Sequence, residues 1–138
     1  MTRLDDLQSW LALEHEAVWL YGLIGARVDG VAKSARASYD AHRLVRDRLI
    51  ALVDRAGGEP VGPALTYGDG RVDSPKDARA AASSVEERVA AACVTVFGGA
   101  DTDGRRFAMS GLNRAALAAL DWGAPVRAFP GLDQGDAP

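Results

Sequence analysis

One acidic residue interrupts the apolar face of the first helical segment, and this interruption is the strongest single constraint on the fold. Over residues 4–28, apolar side chains recur at alternating spacings of three and four, which predicts one face of a helix packed against a core. The residues of this ladder are Leu4, Leu7, Leu11, Val18, Tyr21 and Val28. Glu14 stands at its centre. A buried carboxylate must be paired, protonated or bound to a metal, because leaving it bare costs several kcal/mol.

The composition favours a single all-α domain. The chain has 138 residues, of which 26 are alanines and only nine are aromatic, and this bias is typical of closely packed helices. The net charge of −3 and the scattered arginines argue against a nucleic-acid partner. No uncharged apolar run reaches the length of about 18 residues that a membrane span needs. Cys93 is the one cysteine, which favours a reducing, cytoplasmic location.

Four helices are predicted, and a long connection separates the second from the third. The predicted ranges are 5–28, 34–56, 75–97 and 103–122, followed by a non-helical tail over 124–138. Residues 57–73 contain five glycines and two prolines and have no helical period. This connection can reach about 56–61 Å, whereas a helix of about 23 residues is about 35 Å long. We therefore expect residues 1–138 to form a four-helix bundle with a long crossover between parallel helices two and three.

Polar side chains also interrupt the apolar face of the second helix. His42 and Arg46 are one turn apart near its middle, and Tyr39 lies on the same ladder. If helices one and two form an antiparallel hairpin, their midpoints meet and Glu14 faces His42, Arg46 or both. This predicts a buried polar cluster of Glu14, His42, Arg46 and Tyr39. Glu86 is expected on the flank of the inner face of helix three.

The opposite side of the first helix is also apolar. Its residues are Leu13, Trp19, Leu20 and Leu23. The core of the bundle cannot bury this side and the opposite face, which contains Glu14, at the same time. Large exposed apolar strips usually mark association sites. We expect a homodimer through these four residues. The alternative is a monomer in which the tail from Ala124 folds back over the same strip.

Several runs resemble a known family across roughly residues 7–132. LEHEAVWLYG, YDAHRLVRDRLIALVDRAGGEP, VEERVAAACV and AFPGL are similar to the uncharacterised, alanine-rich ferritin-like domain of actinobacteria. Ferritin-like carboxylate proteins use one Glu from each of two helices and a Glu-x-x-His pair from each of the other two. Glu14 and Glu86 match the first kind of position. Neither histidine, His15 nor His42, has a Glu three residues before it.

The resemblance therefore implies a ferritin-like bundle without an intact two-metal centre. Such a protein would have no catalytic residues and no cofactor and would act as a binding or assembly module. The alternative is a metal-dependent oxidase or metal-handling protein whose metal site has fewer ligands, namely Glu14, His42 and Glu86. Those residue types bind iron or manganese.

Overall fold

The protein is all-helical. The structure is a computed structural model that describes residues 2–68 and 70–132, and within these ranges it contains four α-helices and no strand. The helices are α1 (Arg3–Arg27), α2 (Ala32–Arg55), α3 (Pro75–Gly99) and α4 (Thr102–Asp121).

Side-chain caps determine where three of the helices begin. Thr2 accepts a hydrogen bond from the backbone N–H of Asp5, and the Asp5 carboxylate accepts one from the N–H of Thr2. This capping box starts α1 two residues before its predicted start, because Asp5 is the third helical residue rather than the first. Ser74 caps α3 by accepting a hydrogen bond from the backbone N–H of Asp77, and Pro75 occupies the first helical position, where no N–H is needed. Asp101 caps α4.

The contacts between helices set their directions. α1 packs closely against α2 and α3, and α3 packs against α4. The short turn between α1 and α2 makes them antiparallel. Arg3, at the start of α1, lies 3.2 Å from Asp101, just after the end of α3, so α1 and α3 are also antiparallel. It follows that α2 and α3 point in the same direction.

The connection between α2 and α3 runs along the outer side of α1. The Gln8 side chain donates to the Glu59 carbonyl at one end, and Arg27 donates to the Gly70 carbonyl at the other. Between them, His15 bonds to the Val61 carbonyl, and the rings of Trp19 and Tyr67 lie 5.3 Å apart. The segment therefore follows almost the whole of α1.

This connection changes the account of the apolar strip on α1. Leu20 is buried in the core together with Val72 of the connection, and Leu13 and Leu23 are partly buried. Trp19 remains 37% exposed beside Tyr67. The four residues thus do not form the open strip expected from the sequence. The connection between α2 and α3, rather than a second subunit or the tail, covers much of this side of α1. The homodimer stays a prediction.

The tail packs elsewhere. Arg127 lies 3.2 Å from Glu87 of α3, and Gly131 is so close to the Ala90 carbonyl that a Cβ there would lie 2.6 Å from the oxygen. The described part of the tail therefore covers α3 and α4 rather than α1. Residues 133–138 of the predicted tail lie outside the described residues.

The interior consists of two apolar cores. One contains Leu7, Trp10, Leu11, Val45, Leu49, Val53, Val89, Cys93 and Val96. The other contains Ala17, Leu20, Tyr21, Ile24, Ala35, Val72, Ala82, Val85 and Trp122. Along α1, α2 and α3, the residues of the two cores are separated by Glu14, His42 and Glu86 respectively. A polar centre therefore lies between two apolar halves.

Candidate functional site

Three helices each contribute one buried titratable side chain to this centre. Glu14 comes from α1, His42 from α2 and Glu86 from α3, and each is at most 2% exposed. His42 lies between the two carboxylates: Nδ1 donates to Oε2 of Glu14, and Nε2 donates to Oε1 of Glu86 at 2.6 Å. An ionised carboxylate can only accept hydrogen bonds, so with both glutamates ionised both ring nitrogens carry a proton and the ring is an imidazolium.

Two aromatic residues of α1 complete the cluster. The indole Nε1 of Trp10 donates to Oε1 of Glu14 at 2.9 Å, and the Tyr21 hydroxyl donates to Oε1 of Glu86 at 2.7 Å. The Tyr21 ring also stacks on the imidazole of His42, with centroids 5.5 Å apart. Each carboxylate therefore receives one charged and one neutral donor. This combination can hold a buried ion pair without a cofactor.

The surroundings favour the protonated form of His42. Burial lowers its pKa, but hydrogen bonds and charge from Glu14 and Glu86 outweigh burial and raise the pKa to about 9. Burial, together with the charge of Glu86 and the hydrogen bond to it, raises the pKa of Tyr21, so the hydroxyl remains a donor. Burial also raises the pKa of Cys93, so this thiol stays neutral, which agrees with inert packing.

Glu14 and His42 are brought together, but Arg46 and Tyr39 lie outside the cluster. Arg46 bonds to the neighbouring Asp47 at 2.8 Å, and its side chain is 23% exposed. Tyr39 is partly buried, with Arg43 over its ring. The inner face of α2 continues from His42 to Val45 and Leu49. Arg46 lies beside this face because four residues advance a helix by about 40° more than a full turn.

Glu86 belongs to the cluster, although the sequence analysis expected it on the flank of the inner face of α3. It is 1% exposed and contacts both His42 and Tyr21. The inner face of α3 is wide enough to bury both Val85 and Glu86.

Trp10 is the member of the cluster that the sequence analysis missed. Its position four residues before Glu14 places it one turn away on the same helix, and an indole N–H usually finds an acceptor when buried. Gly111 of α4 makes room for it: a Cβ there would lie 2.6 Å from Cζ2 of Trp10 and 2.9 Å from Sγ of Cys93. No local pattern in the sequence indicates this contact, since residues 10 and 111 are on different helices.

Two buried polar atoms have no hydrogen-bond partner among the described residues. They are Oε2 of Glu86 and Nη2 of Arg114 on α4. Glu14 and Glu86 help to raise the pKa of Cys93, and Arg114 acts in the opposite direction, so all three lie within electrostatic reach of that thiol. Arg114 is a charged neighbour of this region that the sequence analysis did not select.

The residues present do not fit the two-metal centre of ferritin-like proteins. The sequence contains no Glu-x-x-His pair, and both nitrogens of His42 already face carboxylate oxygens. Within residues 2–68 and 70–132, no group of three His, Cys, Asp or Glu side chains has a geometry that could hold a metal ion. The centre is also closed to solvent, since Glu14, His42 and Glu86 are each at most 2% exposed.

The fold and the site together define a class of protein: an all-helical domain with an ion-pair network at its centre. The family described as a domain of unknown function, DUF4439, matches residues 6–134, and the chain belongs to that family.

A solved structure supports this grouping. The chain is similar to a conserved hypothetical protein, rv2844, from Mycobacterium tuberculosis, with a TM-score of 0.81 and 29% sequence identity over 87% of this chain and 93% of that one. The comparison with curated proteins found no match. In the described part of the chain, no helix combines the length and the apolar character needed to cross a bilayer.

Proposed function

We propose that this protein is a ferritin-like four-helix bundle in which an ion-pair network takes the place of a two-metal centre, and that it acts as a binding or assembly module. The observation that carries the proposal is the position of His42 between Glu14 and Glu86, with both ring nitrogens engaged. A metal at this point would have to displace one of these hydrogen bonds and leave a buried group unpaired.

The path of the connection supports the ferritin-like part of the proposal. Ferritin-like folds have one long crossover in a four-helix bundle. Here residues 56–74 run from the end of α2 to the start of α3 along α1, and α2 and α3 point the same way. The mycobacterial origin of the similar structure supports the resemblance to actinobacterial proteins. A cytoplasmic location is part of the proposal, and the single reduced cysteine supports it.

Elemental analysis tests the absence of a two-metal centre. The protein would be purified without chelator and dialysed against iron or manganese. We expect substoichiometric metal in both preparations, because both ring nitrogens of His42 and one oxygen or more of each carboxylate are already engaged in hydrogen bonds. Two tightly bound ions per chain would overturn the proposal. A His42→Gln variant is the matched control, since loss of bound metal in that variant would place the ions at this cluster.

A single-metal site with fewer ligands is the second candidate, and it requires Glu14, His42 and Glu86 to rearrange, because their present arrangement does not form a ligand set. Glu14, His42 and Glu86 converge from three helices, and Oε2 of Glu86 has no partner among the described residues. One iron or manganese ion per chain, lost on Glu86→Gln, would favour an oxidase or metal-handling role over the binding module.

We also propose the homodimer through the outer face of α1. Trp19 is its best anchor, since it is the most exposed aromatic residue of that helix. Sedimentation equilibrium on the parent and on Trp19→Ala tests it. We expect a dimer that weakens in the variant. A parent protein that stays monomeric at high micromolar concentration would contradict the dimer, and the cover provided by residues 56–74 would then be sufficient.

A further inference from the structure

A large cleft opens at the end of the molecule where α1 and α4 begin and α2 and α3 end. Its volume is about 850 Å³, within the range of small-molecule sites. Residues of α2 and α4 line its two sides, and these two helices are not among the closely packed pairs. It is remote from Glu14, His42 and Glu86, none of which lines it.

The floor of the cleft is apolar. Its main residues are Leu4, Leu7, Leu52, Val96 and Phe107. Leu7 and Val96 are buried parts of the core, whereas Leu4, Leu52 and Phe107 are partly open to the cleft. Covering such surface is favourable because it removes apolar area from water. The floor therefore suits an apolar chain or ring.

The rim is positively charged although the whole chain carries a net charge of −3. Four arginines and two aspartates line the cleft: Arg3, Arg48, Arg55, Arg106, Asp101 and Asp103. Arg3 is paired with Asp101, and the Arg48 guanidinium lies 5.5 Å from the ring of Phe107. Arg55 and Arg106 are exposed and have no ion-pair partner among the described residues. These two side chains are free to bind an anion.

We propose that this cleft binds an amphiphilic anion, which places an apolar chain or ring on Leu4, Leu52 and Phe107 and a carboxylate or phosphate between Arg55 and Arg106. The guanidinium is suited to both head groups because its planar donors match their oxygens in pairs. This inference rests on the proposed role as a binding module and names the chemistry of the ligand.

Isothermal titration calorimetry tests the proposal with four probes of equal chain length. They are decanoate, decyl phosphate, decanol and decyltrimethylammonium. We expect the two anions to bind and the other two to bind at least about tenfold more weakly, since decanol and decyltrimethylammonium have no anionic oxygen to accept hydrogen bonds from the two guanidinium groups. The stronger of the two anions identifies the head group. Equal binding of all four probes would overturn the proposal, because it would mean nonspecific adsorption.

Variants locate the site. Arg55→Ala combined with Arg106→Ala should weaken the binding of the preferred anion by at least about tenfold. Arg36→Ala is the matched control, because Arg36 is also exposed but pairs with Asp40 on another part of α2. This variant should bind like the parent. Unchanged affinity in the double variant would overturn the proposal, as would binding to anionic vesicles without binding to the free anions. A failure to bind these anions would not change the metal content expected from elemental analysis. The two proposals are therefore tested independently.

Discussion

At the residue scale, the centre of the molecule depends on one imidazole. His42 connects α2 to both α1 and α3, and it is the one charged donor that each carboxylate receives. Trp10 and Tyr21 add neutral donors but cannot neutralise Glu14 or Glu86. The stability of a buried ion pair is asymmetric: forming it gains little, whereas removing one partner leaves a desolvated charge.

His42→Ala should therefore destabilise the protein by about 3–5 kcal/mol, because it leaves two carboxylates facing each other in the core. Urea unfolding monitored by circular dichroism measures the change. Arg46→Ala is the matched control one turn away. It should change the free energy of unfolding by less than about 1 kcal/mol, since its pair with Asp47 is at the surface. Equal losses in the two variants would contradict the cluster as described.

Gly111→Ala should destabilise the protein by about 1–3 kcal/mol, because the added Cβ would overlap the indole of Trp10 and the thiol of Cys93. Gly98→Ala is the control within α3, where no atom lies within 4 Å of the added Cβ. It should be neutral or stabilising by up to about 1 kcal/mol. Thermal unfolding and tryptophan fluorescence report both changes. A stable Gly111→Ala protein with unchanged fluorescence would argue against this packing of α4 on Trp10.

At the scale of elements, α1 is the helix on which the others depend. One face contributes Glu14 and the two aromatic donors, and the other is followed by the connection over residues 56–74. Val72 attaches the end of that connection to the core beside Leu20. The two ends of the connection therefore pack on the helices, whereas Leu65 near its middle is fully exposed.

Val72→Ala should cost about 2 kcal/mol, because Val72 is 3% exposed and its methyl groups fill the core under α1. Leu65→Ala should change the stability by less than about 0.5 kcal/mol. Denaturant unfolding of the two variants makes the comparison, and limited proteolysis adds a second readout. Cleavage in residues 61–68 should become faster only in Val72→Ala. Equal sensitivity of the two positions would mean that the connection is not attached at Val72.

At the scale of the whole molecule, two apolar cores enclose the polar centre, so its charge affects global stability. The pKa of His42 is raised from 6.5 to about 9 by Glu14 and Glu86. The folded state therefore holds a proton that the unfolded state releases between these values. This contribution is fully present below about pH 6.5 and is lost as the pH rises to about 9.

The free energy of unfolding should accordingly fall between pH 6.5 and pH 9, by an amount on the order of 3 kcal/mol. Urea unfolding at intervals of pH measures it. A His42→Gln variant should be less stable but nearly flat over the same range. Stability that rises with pH in the parent, or an equal slope in the variant, would contradict the imidazolium assignment.

Periodicity in the sequence was sufficient to predict four helices and to select Glu14. Both depend on spacing along one helix, which is local information. The start of α3 at Ser74 and Pro75 likewise depends on local information, because a cap involves residues three apart. The same local patterns placed Arg46 and Tyr39 in the cluster and Glu86 on its flank. A ladder limits the direction of a side chain to a sector of about 100°, and those errors lie within that sector.

By itself, then, the sequence determined that a carboxylate on α1 needs a charged partner near the middle of α2. Only the tertiary structure decided that His42 rather than Arg46 is that partner and that Glu86 takes its second nitrogen. Likewise, only the tertiary structure decided that residues 56–74, rather than the tail, cover α1. The physical reason is that these choices depend on the rotation and spacing of helices, which arise from packing between residues distant in the chain, such as Trp10 against Gly111.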